Sequence, residues 1–302
     1  MMSVQTKVTQ LNTVEKNQER SFWNRMIKQI LRDRLTLMAL SILFLFTVAS
    51  FFGPTIVENA LHVDVEDASV RDRYLPPSSE HILGTDQLGR DQFIRLLYGG
   101  RISLLIAYSA SLLAMTIGVS VGTLAGYFGG AIDDILTWVI STLSSIPSLF
   151  LLLIASAIFS PSPEVLVMIL GFLSWIQIAR LVRGQILSLK RQDFVLAAQA
   201  LGSSDLRIMV YHILPNVISI ALIAVTISAG NLILVESGLS FLGLGVQPPT
   251  PTWGNMLSDS RSYFSYGIHL VVWPGTMITL TVLCFFLLGD GLRDALDPRN
   301  RK

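Results

Sequence analysis

Cysteine is nearly absent from this chain. Cys284 is the only one in 302 residues, which excludes an internal disulfide and a paired-thiol metal site. On an apolar segment it reads as a small packing residue. Charge is scarce as well: only 14% of residues are Asp, Glu, Lys or Arg, where a soluble domain of this length carries about a quarter. No Gly-Lys dipeptide occurs, so there is no phosphate-binding P-loop, and nucleotide hydrolysis by this chain is not expected. The four histidines, His62, His81, His212 and His269, are far apart, and the HExxH zinc pattern is missing. No metal site is expected. There is no internal repeat and no low-complexity tract, and neither tail is long enough to bury a core of its own.

What is present is apolar sequence, 51% of the chain, gathered into runs long enough to span a bilayer, which takes about 20 helical residues. The uncharged runs are Leu35–Val57, Ile102–Ile132, Ile135–Pro163, Val165–Ala179, Ile213–Val235 and His269–Gly289. They predict an all-α integral membrane protein with six transmembrane helices. The head, residues 1–34, is basic (Lys7, Lys16, Arg20, Arg25, Lys28, Arg32, Arg34), with Phe22 and Trp23 placed as an interfacial anchor on a short amphipathic helix. The run that follows, residues 35–57, is too long for a signal-peptide core, and no small-residue cleavage site follows it. The basic head therefore puts the N-terminus in the cytoplasm. Residues 58–101 are rich in acids (Glu58, Asp64, Glu66, Asp67, Asp72, Glu80, Asp86, Asp91) and suit the far side. A five-helix core over residues 102–290 and a short tail, 291–302, complete the division. Arg180, Arg183, Lys190, Arg191 and Arg207 fall in the segment placed inside, as do Arg293, Arg299, Arg301 and Lys302, so both termini are expected to be cytoplasmic. Asp133 and Asp134 run against the trend, but acids count little in this rule.

Within the spans, carboxylates are missing from mid-membrane positions; Glu236 and Asp290 sit at span ends. That disfavours a proton-driven carrier, which would need them as a relay. Pro147 and Pro274 lie inside the third and last spans, and each can kink its helix as a plain bend or as a gate hinge. Gly118-Val119-Ser120-Val121-Gly122 matches GxSxG, the serine nucleophile elbow. The match sits in an apolar helix with no histidine nearby, and Gly118, Gly122, Gly126 and Gly130 recur at four-residue steps. The better reading is a small-residue stripe for close helix packing.

The most informative stretch is polar: Gln192–Asn216, QDFVLAAQALGSSDLRIMVYHILPN. Phe194–Leu201 favours helix, and Gly202 breaks it. Ser203 or Ser204 can cap a second short helix with Asp205 in its first turn, and Pro215 suits the start of the next span. The predicted form is two short cytoplasmic helices with an elbow at Gly202, exposing Phe194, Val195, Leu196 and Leu201. Such side chains lie either on lipid headgroups or in a partner protein, and the alanines around Gly202 favour a protein.

This stretch resembles the EAA loop of permease subunits in binding-protein-dependent ABC importers. Ala197, Ala198, Gly202, Leu214 and Pro215 match that pattern at its spacing, while Leu196 replaces the usual glutamate and His212 the usual isoleucine. Two further stretches resemble signatures of the dipeptide, oligopeptide and nickel branch: ILGTDQLGRDQFIRLLYGGRISL (Ile82–Leu104) before the second span, and ESGLSFLGLGVQPPTPTWGNML (Glu236–Leu257) after the fifth. The likeness runs from about Arg32 to Arg299, and the extra first span fits the C-type member of a permease pair.

The resemblance implies a type I ABC importer permease fold with a cytoplasmic coupling helix. It places ATPase coupling in residues 184–215, on Phe194, Val195, Leu196, Ala197, Ala198, Leu201, Gly202, Leu214 and Pro215. Gly84, Asp86, Gly89, Arg90, Asp91, Glu236, Gly243 and Trp253 fall in loops outside the cytoplasm that seat a receptor or cap the pathway. Trp253, behind Pro248, Pro249 and Pro251, is expected at the membrane interface. The implied partners are a second permease, two ATP-binding cassette subunits carrying ATP and Mg, a solute-binding protein and membrane lipid, with no nucleic acid. The implied location is the inner membrane of a prokaryote. Short peptides are the leading solute, with nickel and oligosaccharides as alternatives. From other classes, an ATPase-independent channel and an intramembrane protease built on Ser120 are the readings to exclude. Leu196 in place of the glutamate shifts the expected coupling contact from a charged latch to an apolar plug held by shape.

Overall fold

The computed structural model describes residues 27–61, 68–159, 162–260 and 267–296. Phe22, Trp23, the acids Asp64, Glu66 and Asp67, and the tail cations Arg299, Arg301 and Lys302 lie outside them. The elements are α1 (Arg34–Leu61), a 3-10 turn (Val70–Asp72), α2 (Gln92–Phe128), α3 (Gly130–Ser145), α4 (Ser148–Ile158) and α5 (Pro163–Leu189). They continue with α6 (Asp193–Ala200), α7 (Asp205–Ile208), a π turn (Met209–Ile213), α8 (Leu214–Phe241), α9 (Trp253–Ser260) and α10 (His269–Leu296). No strand forms among the described residues; Thr85 and Asp91 make an isolated bridge.

Five stretches are long and apolar enough to cross a bilayer unaided: α1, α2, α5, the run from α7 through α8, and α10. The packing of α2 on α5 decides the sixth. A β-carbon at Gly118 would stand 2.7 Å from Ile178 Cβ, one at Gly122 2.8 Å from Val182 Cβ, and one at Gly126 2.9 Å from Ile186 Cβ. Each four-residue step on α2 is thus matched by a four-residue step in the same direction on α5, so the two helices run parallel. The chain between them must recross the same thickness, and the α3–α4 pair does so. The protein is an all-helical bundle of six crossings.

Most span boundaries differ from those expected, and the last two spans run on to Phe241 and Leu296 instead of stopping at Val235 and Gly289. The α2 helix runs from Gln92 to Phe128, not from Ile102 to Ile132. At 37 residues it is about 55 Å long, so its outer turns, with Arg95 and Arg101, extend past a hydrocarbon core about 30 Å thick. The α5 helix continues to Leu189 instead of stopping near Ala179 for the same reason, carrying Arg180 and Arg183 in its last turns. The third span is not one kinked helix: α3 and α4 meet at 81°. Pro147 has no N–H to continue the ladder and drives Ile146 to extended backbone, φ −90° and ψ 125°. Gly130, expected to extend the glycine stripe, instead opens α3, where an added β-carbon would meet nothing within 4 Å.

Apolar side chains on α1 show where lipid lies. Ala39 and Leu43 are buried against α2 and α10, while Phe44, Leu45, Phe52 and Ile56 are 62–70% exposed. Tyr108 of α2 fastens this span from inside, with a 2.8 Å hydrogen bond to Thr47 and an edge-to-face contact with Phe285 of α10.

Candidate functional site

The end of the bundle that carries the Gln192–Asn216 stretch is built on a short helix whose two sides differ. In α6, Val195 is fully buried and Ala198 nearly so, both packed on Ile186, Leu189, Ile208 and Ile213. Phe194, Leu196 and Leu201 point outward at 43%, 48% and 86% exposure. Val195, expected among the exposed side chains, is therefore the anchor of the helix, because it shares a face with Ala198 one turn on, while Phe194 and Leu196 lie about 100° to either side of it. The helix ends at Gly202 in the left-handed region, φ +77°. Its N–H donates to Gln199 O (2.9 Å) and the Ser203 N–H to Ala198 O (3.1 Å), the paired bonds of a Schellman motif. Ser204 occupies the next N-cap without a side-chain cap bond.

From Asp205 the helical path does not stop where a separate short helix was expected. It passes through the π turn Met209–Ile213 and on to Phe241. The wider turn lies immediately before Pro215, whose missing N–H and bulky ring do not fit an uninterrupted α ladder. Leu214 and Pro215 are the first two residues of α8. His212 faces the Phe194 ring at 6.4 Å. Three polar ties fix this end of the bundle. The Tyr127 hydroxyl at the foot of α2 donates to Asp205 Oδ1 at 2.7 Å. The Lys190 ammonium donates to the Tyr127 carbonyl and lies over its ring at 5.4 Å. Arg183 grips Asp133 with two bonds, Nε–Oδ1 2.5 Å and Nη2–Oδ2 2.7 Å. Asp133, the acid that ran against the charge trend, is the partner of an arginine at the same end.

At the other end, Asp86, Gly89, Arg90 and Asp91 form one folded cap. Asp86 Oδ1 accepts from the Leu88 and Arg90 N–H groups, and its Oδ2 from Arg90 Nε at 2.8 Å. Asp91 caps α2 through Phe93 and Ile94 and meets His81 Nδ1 at 3.0 Å. Gly84 and Gly89 allow this cap to close on Leu75, His269 and Ser69. Arg95, 4% exposed, lies 3.4 Å from Asp86 and 3.3 Å from Asp259 of α9, and Arg90 reaches Asp259 at 3.9 Å. Burial pushes the Asp259 carboxyl above the ordinary range, opposed mainly by Arg95.

Two residues placed in loops lie elsewhere. Glu236 is inside α8 and fully buried, because that helix continues to Phe241 with its serines turned inward. Its carboxyl accepts from Ser240 Oγ (2.8 Å), Ser103 Oγ (3.2 Å) and Ser237 Oγ (3.4 Å). Trp253 is 1% exposed, not interfacial. It opens α9, donating from its backbone N–H to Ser103 Oγ (3.2 Å) and from Nε1 to Leu96 O (3.0 Å). The space it fills is left by Gly99 and Gly100 of α2. Gly243 ends α8 at φ +77°, and Asn255 ties α9 back to Val246 and Thr250. Ser103 thus joins α2, α8 and α9 at one point.

Sequence reasoning singled out neither Ser103, Arg95 and Asp259 nor the inner group Tyr127 and Lys190. Arg95 and Ser103 lie inside the Ile82–Leu104 stretch that was quoted, but Asp259 and Glu236, which they meet, are more than a hundred residues away. We expect Glu236→Leu to lower the stability of the detergent-purified chain by about 1–3 kcal/mol, because three serines lose their acceptor. Glu236→Gln, which keeps two polar atoms there, should lose clearly less. Equal thermal denaturation curves for the two variants would show that this junction holds nothing together.

Ser120 is not a nucleophile in waiting. Its hydroxyl donates to the Thr116 carbonyl at 2.7 Å within α2, a helix-internal bond. Among the described residues no group of three His, Cys, Asp or Glu side chains could hold a metal ion.

Comparison with known proteins follows the same division. A family model described as binding-protein-dependent transport system inner membrane component matches residues 118–302. A second, the N-terminal TM domain of oligopeptide transport permease C, matches residues 21–77. A dipeptide transport system permease protein of Alkalihalophilus pseudofirmus is 36% identical over 277 residues, 92% of this chain and 90% of the relative. An oligopeptide transport system permease protein of Haemophilus influenzae is 37% identical, with 93% and 90% covered. A glutathione transport system permease protein of Pectobacterium atrosepticum is 38% identical, with 93% and 91% covered. Among solved structures, one of inward-facing conformations of the MetNI methionine ABC transporter matches with a TM-score of 0.56 at 18% identity. It covers 67% of this chain and 96% of that one, and at that identity the likeness concerns the fold alone.

Proposed function

We propose, from the premise that this chain belongs to the binding-protein-dependent transport system inner membrane components, that it is one of two permeases in an ATP-driven importer of short peptides. Its relatives are named for dipeptides, oligopeptides and glutathione, which share a peptide backbone and a terminal carboxylate. Nickel and oligosaccharides are not favoured by these names. The remaining subunits would be a second permease, two ATPases binding ATP and Mg, and a solute-binding protein outside the cytoplasm. The basic residues at the α5–α7 end support a cytoplasmic position for that end and for both termini, in a prokaryotic cell.

The observation that carries the reading is the two-faced α6 helix. Val195 and Ala198 fix it to the bundle, while Phe194, Leu196 and Leu201 stand clear. An apolar ridge with a rigid base suits insertion into a cleft on an ATPase. Force received there has a direct route. The Asp205–Phe241 path spans 37 residues, about 55 Å of helix, and runs from the elbow to the Glu236 junction. The equally long α2 is tied to it at both ends, by Tyr127–Asp205 inside and Ser103–Glu236 outside. Closing of the ATPases would move α6, tilt these two rods together and shift α9, which caps the outer end. Nucleotide and loaded receptor would then bias one two-state element from opposite sides.

The test is reconstitution with the cognate subunits. Peptide-loaded binding protein should stimulate ATP hydrolysis, and labelled di- or tripeptide should accumulate in the lumen that faces the ATPases. Stimulation by nickel or an oligosaccharide instead would replace the solute. Passive flux through this chain alone would replace the mechanism by a channel.

A further inference from the structure

One surface of the bundle is unsuited to lipid and is used by none of the ties described so far. Where α3 breaks, Ser141, Thr142, Ser144, Ser145, Pro147 and Ser148 are all exposed. Facing them on α5, Gln177 and Arg180 are exposed as well, and Arg180 Nη2 donates to Ser144 Oγ at 2.8 Å. Among the described residues Arg180 has no carboxylate partner. The contrast with α1 is chemical: its outward face is Phe44, Leu45, Phe52 and Ile56, whereas here hydroxyls, an amide and a guanidinium stand beside the exposed Ile146, Leu149 and Phe150. Backbone that leaves the helix at membrane depth is tolerated only where protein covers it or water reaches it. An 81° break edged with hydroxyls is therefore unsuited to acyl chains.

We propose that this elbow, with Gln177 and Arg180 opposite it, is a wet wall of the solute route, and that Arg180 receives the carboxylate of the passing peptide. The assignment rests on the importer reading above, and its chemistry fits that solute. Serine hydroxyls and an amide can both donate to and accept from peptide groups in many registers, as a route for varied sequences needs. The feature common to such peptides is the terminal carboxylate, which a guanidinium binds with two parallel hydrogen bonds.

The experiment uses the complete transporter in proteoliposomes, with Cys284→Ala in this chain and cysteine-free partners. Single cysteines replace Ser141, Ser145, Ser148 and, as the lipid-facing control, Phe44. A membrane-impermeant thiol reagent should modify the three elbow cysteines about tenfold faster than Phe44→Cys or more, because the reactive thiolate forms only in water, and a transported tripeptide should slow that reaction. Labelling as slow as at Phe44→Cys means that lipid or the second permease covers the elbow, and overturns the proposal. Fast labelling that peptide leaves unchanged, in a complex that takes up peptide, overturns it too. If the parent complex takes up no peptide, the importer reading is what fails, and the labelling rates alone judge whether the wall is wet. For Arg180, uptake KM in Arg180→Gln should rise roughly tenfold or more for a free-carboxylate tripeptide, the loss of one charge-assisted hydrogen bond. The C-terminally amidated tripeptide should be unaffected. Equal changes for both peptides would remove Arg180 from solute contact and return it to the headgroup layer.

Discussion

Gly122→Leu should produce a chain that enters the membrane and then fails to hold α2 against α5. The expectation follows from distances to backbone, which cannot move aside as a flexible side chain can. A β-carbon at Gly122 would stand 2.6 Å from the Ala179 carbonyl oxygen and 2.8 Å from Val182, so even alanine forces the helices apart. Leucine adds three more carbons to the same gap. Overpacking of this kind costs about 1–3 kcal/mol, and in a bilayer no hydrophobic gain between helices offsets it, since association there rests on close packing. The control is Gly184→Leu on α5, where an added β-carbon meets nothing within 4 Å. Size-exclusion profiles after a heat step, read on fluorescent fusions, should show Gly122→Leu lost at temperatures that Gly184→Leu survives. Matching profiles would mean that the glycine stripe is not a contact surface.

How far the sequence could be read depended on how local the cause was. The glycines at 118, 122 and 126 announce a close helix contact through their spacing alone, yet spacing cannot say which helix they meet. Gly202 predicted the end of α6 correctly because a helix terminus is a matter of one residue's backbone freedom. Helix ends in the spans were misplaced because an uncharged run marks the hydrocarbon layer, while a helix ends only where its ladder is broken or capped. Asp91 and Gly129 do this for α2, the first well before the apolar run and the second three residues short of its end. Pro147 was legible as a perturbation but not as a full break, since the outcome depends on what the neighbouring helices leave uncovered. Least legible were the polar junctions. Glu236 looked like a residue at the edge of a loop because the uncharged run stops at Val235. Only the fold brings Ser103, 133 residues away in sequence, within 3.2 Å of it. The same holds for Arg95 and Asp259, and for Tyr127 and Asp205.

Gly202→Asp should abolish peptide uptake while leaving insertion and folding nearly intact, and the structure separates the two effects. Within this chain an added β-carbon at Gly202 meets nothing within 4 Å, so no clash arises in the free subunit. What remains is the backbone. At φ +77° an L-residue pays roughly 1–2 kcal/mol, and Asp and Asn are among the residues that visit this region most readily. That loss is too small to unfold a six-crossing bundle, and it falls on a helix end that Val195 anchors independently. Gly202→Asn carries the same shape and backbone preference without the charge. Thermal stability of both variants should therefore stay within about 1–2 kcal/mol of the parent. Uptake, however, depends on what occupies the open space beside Gly202 in the assembled transporter. If an ATPase docks around α6, both side chains intrude on that contact, and Asp also brings an unpaired charge beside an apolar ridge. Its burial costs far more than the backbone change. The expected pattern is near-normal melting for both variants, uptake reduced in Asn and absent in Asp, and failure of Asp to retain the ATPases on affinity purification. Full uptake by Gly202→Asp, with the ATPases still bound, would remove this elbow from the coupling contact and leave Phe194, Leu196 and Leu201 as an apolar ridge resting on lipid.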